Sequence, residues 1–559
     1  MGIEQRIKTE CLVIGNGLGG YAAALELAKA GKRVLIIDKG EGIENTSSRR
    51  LAGGFNSVSD QSIRVHGDSI DVFVEDTIRN GANFNCGSVV RSYGERFYPD
   101  VIQFLEGLGI KFDQGLHAEG SNTARVHHIS DHTGRDVMAI LDGEIKKNKN
   151  ITIMNKHMAF DLITNNWING VIKESDVCRA VYTYSIDDDL VKTIEADMVV
   201  VGAGSVGGVF PAASTSPTAT GDGIAMAIRA YLPIAMMEML QFHPTGLATP
   251  GYGEKPLCTQ ALRGAGAFLK LRKDDTEDFI RTMGYNTELG SNADRATVSR
   301  AIIEMIQKLA IKEGFVWLDC STIPANKLKK EFSDFYTNCI QAGYDPTKEP
   351  VPVKPILHYC NGGVLVGMNG ETLYEGGRGI SRLYFVGENA YTGLHGADRF
   401  PSNSGPEAIL TGRLAAHHYL NNKHAPKGKK KVPIWRTGNA TEQKDRLLMQ
   451  QYYVTQIQTT MGLLCGILRN EEKLIDGKAV LATLRKQIHA FYRRYLVDQY
   501  SLTARNMLDV ANVIFDSALM RNSSVGCHYR TDYPHANPNH RAWTIVQKER
   551  VPYFMPIPK

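Results

Sequence analysis

Residues 9–40 read TECLVIGNGLGGYAAALELAKAGKRVLIIDKG, and the glycines in this run decide the fold. CLVIG is a short apolar segment of the buried-strand type. YAAALELAKAG has helical composition and stops at a glycine, and RVLIIDKG is a second buried strand. The turn between the first strand and the helix carries Gly15, Gly17 and Gly20 as G-x-G-x-x-G, and Asp38 closes the second strand. Glycines so placed let the backbone approach a pyrophosphate seated on the helix N-terminus, while the acid takes a ribose hydroxyl. The pattern predicts a dinucleotide-binding unit. Motif and acid alone do not separate FAD from NAD.

Later segments bear on that choice. ADMVVVGAGSVGG (196–208) is another buried strand running into a glycine-rich turn, and SRLYFVGENAYTG (381–393) is a third, ending on Gly387-Glu388. A nucleotide fold that returns after long insertions is the layout of flavoproteins of the glutathione-reductase type. The predicted class is α/β: a glutathione-reductase-like FAD-binding Rossmann domain (1–235 and 355–422), an inserted α+β capping domain (236–354) and a C-terminal helical domain (430–545). The basic stretch NNKHAPKGKKKVP reads as a solvated linker before the last of these.

Bulk properties narrow the class. At 559 residues the chain exceeds the size at which single cores stop growing. Sixty-four basic against 59 acidic residues give a net charge of +5, too balanced to argue for nucleic acid. Nine cysteines, odd in number and never spaced C-x-x-C, support neither a disulfide framework nor a zinc or iron–sulfur centre, and no metal is expected. No secretory h-region and no uncharged apolar run of about 18 residues is present, so the expectation is a cytoplasmic enzyme without a membrane span.

Five polar islands carry the chemistry: QFHPTG (His243, Thr245), CTQALRGAG (Thr259, Gln260, Arg263), NADRATVSRAI (Arg295), PILHYCNGG (His358) and GLHGADRFPSNSG (His395, Arg399, Ser402, Asn403, Ser404). With these motifs, and with HYRTDYP near the end, essentially the whole chain resembles the flavoprotein family of succinate dehydrogenase, fumarate reductase and the soluble L-aspartate oxidases. The resemblance implies that His243, Thr259, His358 and Arg399 grip two carboxylates. It implies that Arg295 stands beside the reacting carbons as proton donor or acceptor, and that Asp222, Glu388 and Ser404 contact FAD. Lys39, beside Asp38, and Gly53 and Gly54 of the LAGG run complete the expected cofactor set. His127, His128 and His132 lie outside these motifs and read as structural.

Within the family, covalent FAD uses a His ahead of an A-Q-G-G run. Here ENTSSRRLAGGFNS offers Ser47 or Ser48 and no His, so the resemblance implies non-covalent FAD and the soluble branch. Glu119 matches an acid that aspartate oxidases direct at the substrate amino group. Oxidation of L-aspartate or a close analogue to the imine is therefore the leading reading, with a fumarate-reductase or succinate-dehydrogenase-type reaction on an unsaturated dicarboxylate as the alternative. A further reading makes the chain the flavin subunit of an electron-transfer or biosynthetic assembly, and another a degenerate FAD binder. The electron acceptor stays open among oxygen, fumarate, a quinone and a protein. Four departures mark this chain. Gln260 stands where the family has the Glu of its T-E-x-x-R-G proton relay, whose second Arg matches Arg263. Asp398 replaces an Asn, Val525 an Arg, and Arg49-Arg50 smaller residues. A carboxamide cannot take the proton that a carboxylate would.

Overall fold

A computed structural model describes residues 5–117, 121–129, 132–170, 172, 176–425, 431–442 and 449–558. Strand β1 (Gln5–Ile14), helix α1 (Leu18–Lys29) and strand β2 (Val34–Ile37) follow one another around the glycine turn. β2 pairs in parallel with β1 on one side and with β3 (Ile151–Met154) on the other. A meander of β4 (His157–Thr164) and β5 (Cys178–Ser185) leads into the 12-residue β6 (Leu190–Val201). β6 runs parallel to β1 from Lys192 opposite Gln5 to Val201 opposite Ile14. Along its other edge it serves two neighbours in turn: β5, antiparallel, over residues 190–195, and the short parallel strand Leu383–Phe385 over Val199–Val201. The five parallel strands all end at one edge, and a crevice beyond the carboxyl ends of such strands is where α/β sheets bind ligands.

The insertion carries its own sheet. Strand β7 (Leu240–Leu247), helix α2 (Gln260–Gly264), helix α3 (Arg295–Lys308) and strand β8 (Val351–Cys360) frame it. Every buried member of its apolar core falls between Leu247 and Val353. α3 shows why: Val298, Ala301, Ile302 and Met305 are buried at helical spacing, and the Asp294 side chain caps the helix by accepting from the Thr297 N–H at 2.9 Å. That cap sets the position of Arg295, the first residue of the helix.

Helix α4 (Ser404–Asn421) returns the chain to the nucleotide-binding sheet and crosses α1 in backbone contact. A Cβ on Gly412 would lie 2.2 Å from the Gly19 carbonyl oxygen, and one on Gly20 would lie 2.1 Å from that of Gly15. The third glycine of the motif therefore serves packing, and Gly15 serves the turn itself with φ +99°. Helices α5 (Glu471–Arg494) and α6 (Gln499–Met520) follow. They build no separate core: Leu508, Ile514 and Phe515 of α6 fall in the same buried cluster as Leu12, Val199 and Phe385. The closing strands Ala542–Val546 and Tyr553–Pro556 form a hairpin, the first of them pairing with Ile234–Ala235. The chain thus ends on a sheet shared with residues before the insertion. Part of the basic linker, 426–430, lies outside the described residues.

The α1–α4 crossing makes a sharp prediction. Gly412→Ala should push the two helices apart and destabilise the protein by about 2 kcal/mol or more, as overpacking against backbone does. Denaturant midpoints of variant and native protein measure it, and equal midpoints would show that the crossing tolerates a methyl group.

Candidate active site

One cavity of about 300 Å³ opens at the carboxyl edge of the parallel strands and runs under the insertion. Its nucleotide end is lined by Gly15, Gly17, Asp38, Lys39, Gly53, Gly54 and Asp222. The Asn16 N–H donates to Asp38 Oδ2 at 3.3 Å and the Gly40 N–H to Oδ1 at 2.7 Å, while burial pushes the Asp38 carboxyl upward. Lys39 pairs with Asp222 at 2.6 Å. Asn16 is almost fully buried, yet neither its amide nitrogen nor its amide oxygen has a partner. A cradle in which a Cβ at Gly15 would collide with the Gly202 carbonyl, beside an unpartnered buried amide, fits a nucleotide diphosphate pressed against backbone.

The other end is built by the insertion and by two breaks in the β7–β8 pairing. Gln241 faces Tyr359 and Phe242 faces Leu357, so His358 between them has no opposite number. It is a bulged residue, and a bulge re-aims a side chain. A second irregularity follows His243, where Pro244 cannot donate to a ladder. The His243 and His358 rings stand 5.4 Å apart at 64°. Thr259, Gln260 and Arg295 line the same space from α2 and α3, and Arg399, Ser404 and Glu388 line it from the nucleotide side.

Gln241 holds the centre of this cluster. Its Oε1 accepts from Arg295 Nη1 at 3.0 Å and from Arg399 Nη2 at 2.8 Å. Its Nε2 donates to Asp398 Oδ1 at 2.6 Å and to the Arg399 carbonyl at 3.0 Å. Asp398 also accepts from the Cys527 thiol at 3.1 Å. An acceptor-only carboxylate fixes which way the amide points. Gln260 Oε1 accepts from Arg295 Nε at 3.0 Å. Arg399 lies over the Tyr359 ring, 4.6 Å from its centroid, and the Tyr359 hydroxyl meets His395, itself bonded to Glu407 at 2.7 Å.

The electrostatics follow from burial and from these cations. Burial and the nearby Arg295 pull Arg399 down to about 10. Burial, reinforced by the Arg295 and Arg399 charges, holds both His243 and His358 well below the usual imidazole range, so both rings are neutral. His243 Nδ1 accepts from the Thr245 N–H at 3.3 Å, which places the ring proton on Nε2. That Nε2 is buried without a partner, as is Arg399 Nε. His358 Nδ1 meets Ser214 Oγ at 2.6 Å. Glu388, buried and accepting from Ser205 and the Cys360 N–H, is pushed up to about 7. Two cations and unsatisfied donors in one buried space call for an anionic ligand.

The cavity thus gathers nearly all the residues singled out in the sequence. Arg263 is not among its lining. It is fully buried behind α2, donating to the Ser291 carbonyl. Gly20 packs behind the turn, and Glu119 lies outside the described residues. Arg50 lines the cavity but turns its guanidinium to Glu254 of the insertion, with Nη2 to Oε2 at 2.9 Å, and Arg49 pairs with Glu44 at 2.6 Å. Gln241 and Asn16 were not identified from sequence. The only signal for either was a polar residue inside an otherwise apolar or glycine-rich motif.

The FAD binding domain family matches residues 10–404, and the fumarate reductase flavoprotein C-terminal family matches 454–552. L-aspartate oxidase 1 of Ralstonia nicotianae is 33% identical, covering 94% of this chain and 96% of its own. L-aspartate oxidase of Vibrio cholerae is 32% identical over 96% and 97%. A quinol fumarate reductase chain of E. coli superposes with a TM-score of 0.84, covering 99% of this chain and 97% of that one at 23% identity, which is a likeness of fold.

Gln241→Leu removes the acceptor shared by the two guanidiniums and leaves them to repel. The affinity for small dicarboxylates, read by perturbation of the flavin spectrum, should fall at least about tenfold. A native dissociation constant in the variant would show that the bridge is dispensable.

Proposed function

The chain belongs to the FAD-dependent flavoprotein family that holds the L-aspartate oxidases and the fumarate reductase flavoproteins, and from that premise we propose that it oxidises L-aspartate, or a close amino dicarboxylate, to the imine. One observation carries the reading: a buried cavity contiguous with the nucleotide cradle holds two arginines, two neutral imidazoles and unpartnered donors. That is the charge and hydrogen-bonding complement of a dianion.

FAD bound in the cradle supplies the hydride acceptor. The residues of the chain do the rest. Arg399, through its unpartnered Nε, and His243, through Nε2–H, grip the two carboxylates together with Thr259 and His358. The two imidazoles contribute hydrogen bonds that orient the substrate, and the arginines supply the permanent positive charge. Arg295, held by the carboxamides of Gln241 and Gln260, is fixed in orientation beside the reacting carbons. Clamping both ends leaves the substrate little freedom, which is the usual means of presenting a C–H bond to its acceptor. A carboxamide at 260 orients Arg295 without being able to exchange a proton with it. This favours a reaction in which the carbon gives up a hydride and the one proton is lost from nitrogen over one that needs a proton delivered to carbon, and so favours the amine substrate over an unsaturated dicarboxylate.

The test is anaerobic. L-aspartate should bleach the oxidised flavin absorbance and succinate should not. Bleaching by succinate alone would overturn the proposal in favour of the alternative dehydrogenase reaction.

We infer that the FAD is held without a covalent bond, because residues 44–57 contain no histidine and Ser47 and Ser48 line the cavity there. Acid precipitation should leave essentially all yellow colour in the supernatant, and flavin retained in the pellet would refute this.

A further inference from the structure

The FAD binding domain match ends at residue 404, yet the wall of the cofactor cavity is buttressed from α6, far beyond it. At the cavity the Lys39 ammonium donates to Thr220 Oγ1 and to Asp222 Oδ2, both at 2.6 Å. The second Asp222 oxygen, Oδ1, accepts from Asn506 Nδ2 at 2.8 Å. Asn506 sits in α6 and is fully buried. Its own Oδ1 accepts from Arg229 Nη2 at 2.8 Å, and Arg229 is held in turn by Asp161 and Asp509, each at 2.6 Å. The amide therefore has one allowed orientation. Turning it over would set its NH2 against a guanidinium and its oxygen against a carboxylate.

We propose that Asn506, supplied by the C-terminal helix α6, is an FAD-positioning residue: it fixes the Asp222 carboxylate and, through it, the Lys39 ammonium at the edge of the cofactor cavity. Asp222 takes donors from Lys39, Thr220 and Asn506, and the amide is the member of this set that comes from outside the nucleotide-binding domain. Removing it leaves the 3.1 Å bond from Thr220 as the remaining hold on Oδ1, so the carboxylate, and the lysine paired with it, are less firmly oriented at the cavity edge. The linkage is reciprocal, since whatever α6 contributes to FAD binding, FAD returns to the docking of α6. The proposal rests on FAD occupying this cavity and is independent of which substrate is oxidised.

The experiment titrates FAD into the cofactor-free full chain and follows flavin fluorescence. N506D keeps the volume and the acceptor for Arg229 but sets a carboxylate against Asp222. N506S keeps a small hydroxyl and serves if N506D does not fold. In either variant the FAD dissociation constant should rise at least about tenfold, the scale of a hydrogen bond to a charged group. In the native protein, addition of FAD should slow amide hydrogen exchange across residues 504–510, which a merely structural asparagine would not require. A native dissociation constant, within twofold, in the variant that folds overturns the proposal, even if its cofactor-free unfolding temperature has dropped. So does hydrogen exchange in native α6 that ignores FAD. Failure of the native chain to bind FAD at all would instead overturn the reading of the cavity.

Discussion

Two guanidiniums share one carboxamide oxygen, and the organisation of the site depends on that sharing. Arg295 comes from the insertion and Arg399 from the loop that leads back into the nucleotide-binding sheet. Left alone, two like charges this close would separate. Gln241 Oε1 draws both toward one point, and Asp398 holds the opposite end of the amide. The result is a positive space in which burial, reinforced by the same field, holds the two imidazoles well below their usual range. Charge is concentrated in the two residues least able to lose it, while the imidazoles act through geometry.

The scaffold supplies this arrangement through irregularity more than through regular pairing. His358 faces the cavity because it is the unmatched residue of a bulge, and the pairing slips again after His243. The glycines work by the same logic in the opposite sense: at Gly15, Gly20 and Gly412 the absence of a side chain lets backbone meet backbone. A nucleotide cradle and a dicarboxylate clamp can then lie against each other in one cavity.

Much of this was legible in the chain. The glycine motif and its strands stood out because apolar runs of four or five residues bounded by turns have few other uses, and the polar islands stood out against apolar surroundings. Other parts left no mark. β4 and β5 are buried on both faces, with Phe160, Ile163, Tyr182 and Tyr184 packing against Leu502 and Trp435, so they lack the alternation that announces a strand. Gln241 reads as one polar residue in a strand, and its importance lies in partners more than 50 and 150 residues away. Asn506 resembles any polar position on an amphipathic helix. The helical segment looked separable because its periodicity is self-contained, whereas its apolar face completes a core begun at Leu12.

The last strand pairing has a consequence for how the protein is made. Ile234–Ala235 finds both its partners, Gly363–Val364 and residues 545–546, beyond the insertion, and the strand Leu383–Phe385 joins β6 only after the whole insertion has been synthesised. Contacts this distant in sequence form late and leave unpaired edges exposed while the chain waits. The insertion, whose core closes within Leu247–Val353, can fold on the ribosome before these late pairings are made. Four of the five parallel strands can therefore pair before the insertion is made, while the Val199–Val201 edge of β6 and the Ile234–Ala235 strand stay open until the chain beyond the insertion emerges.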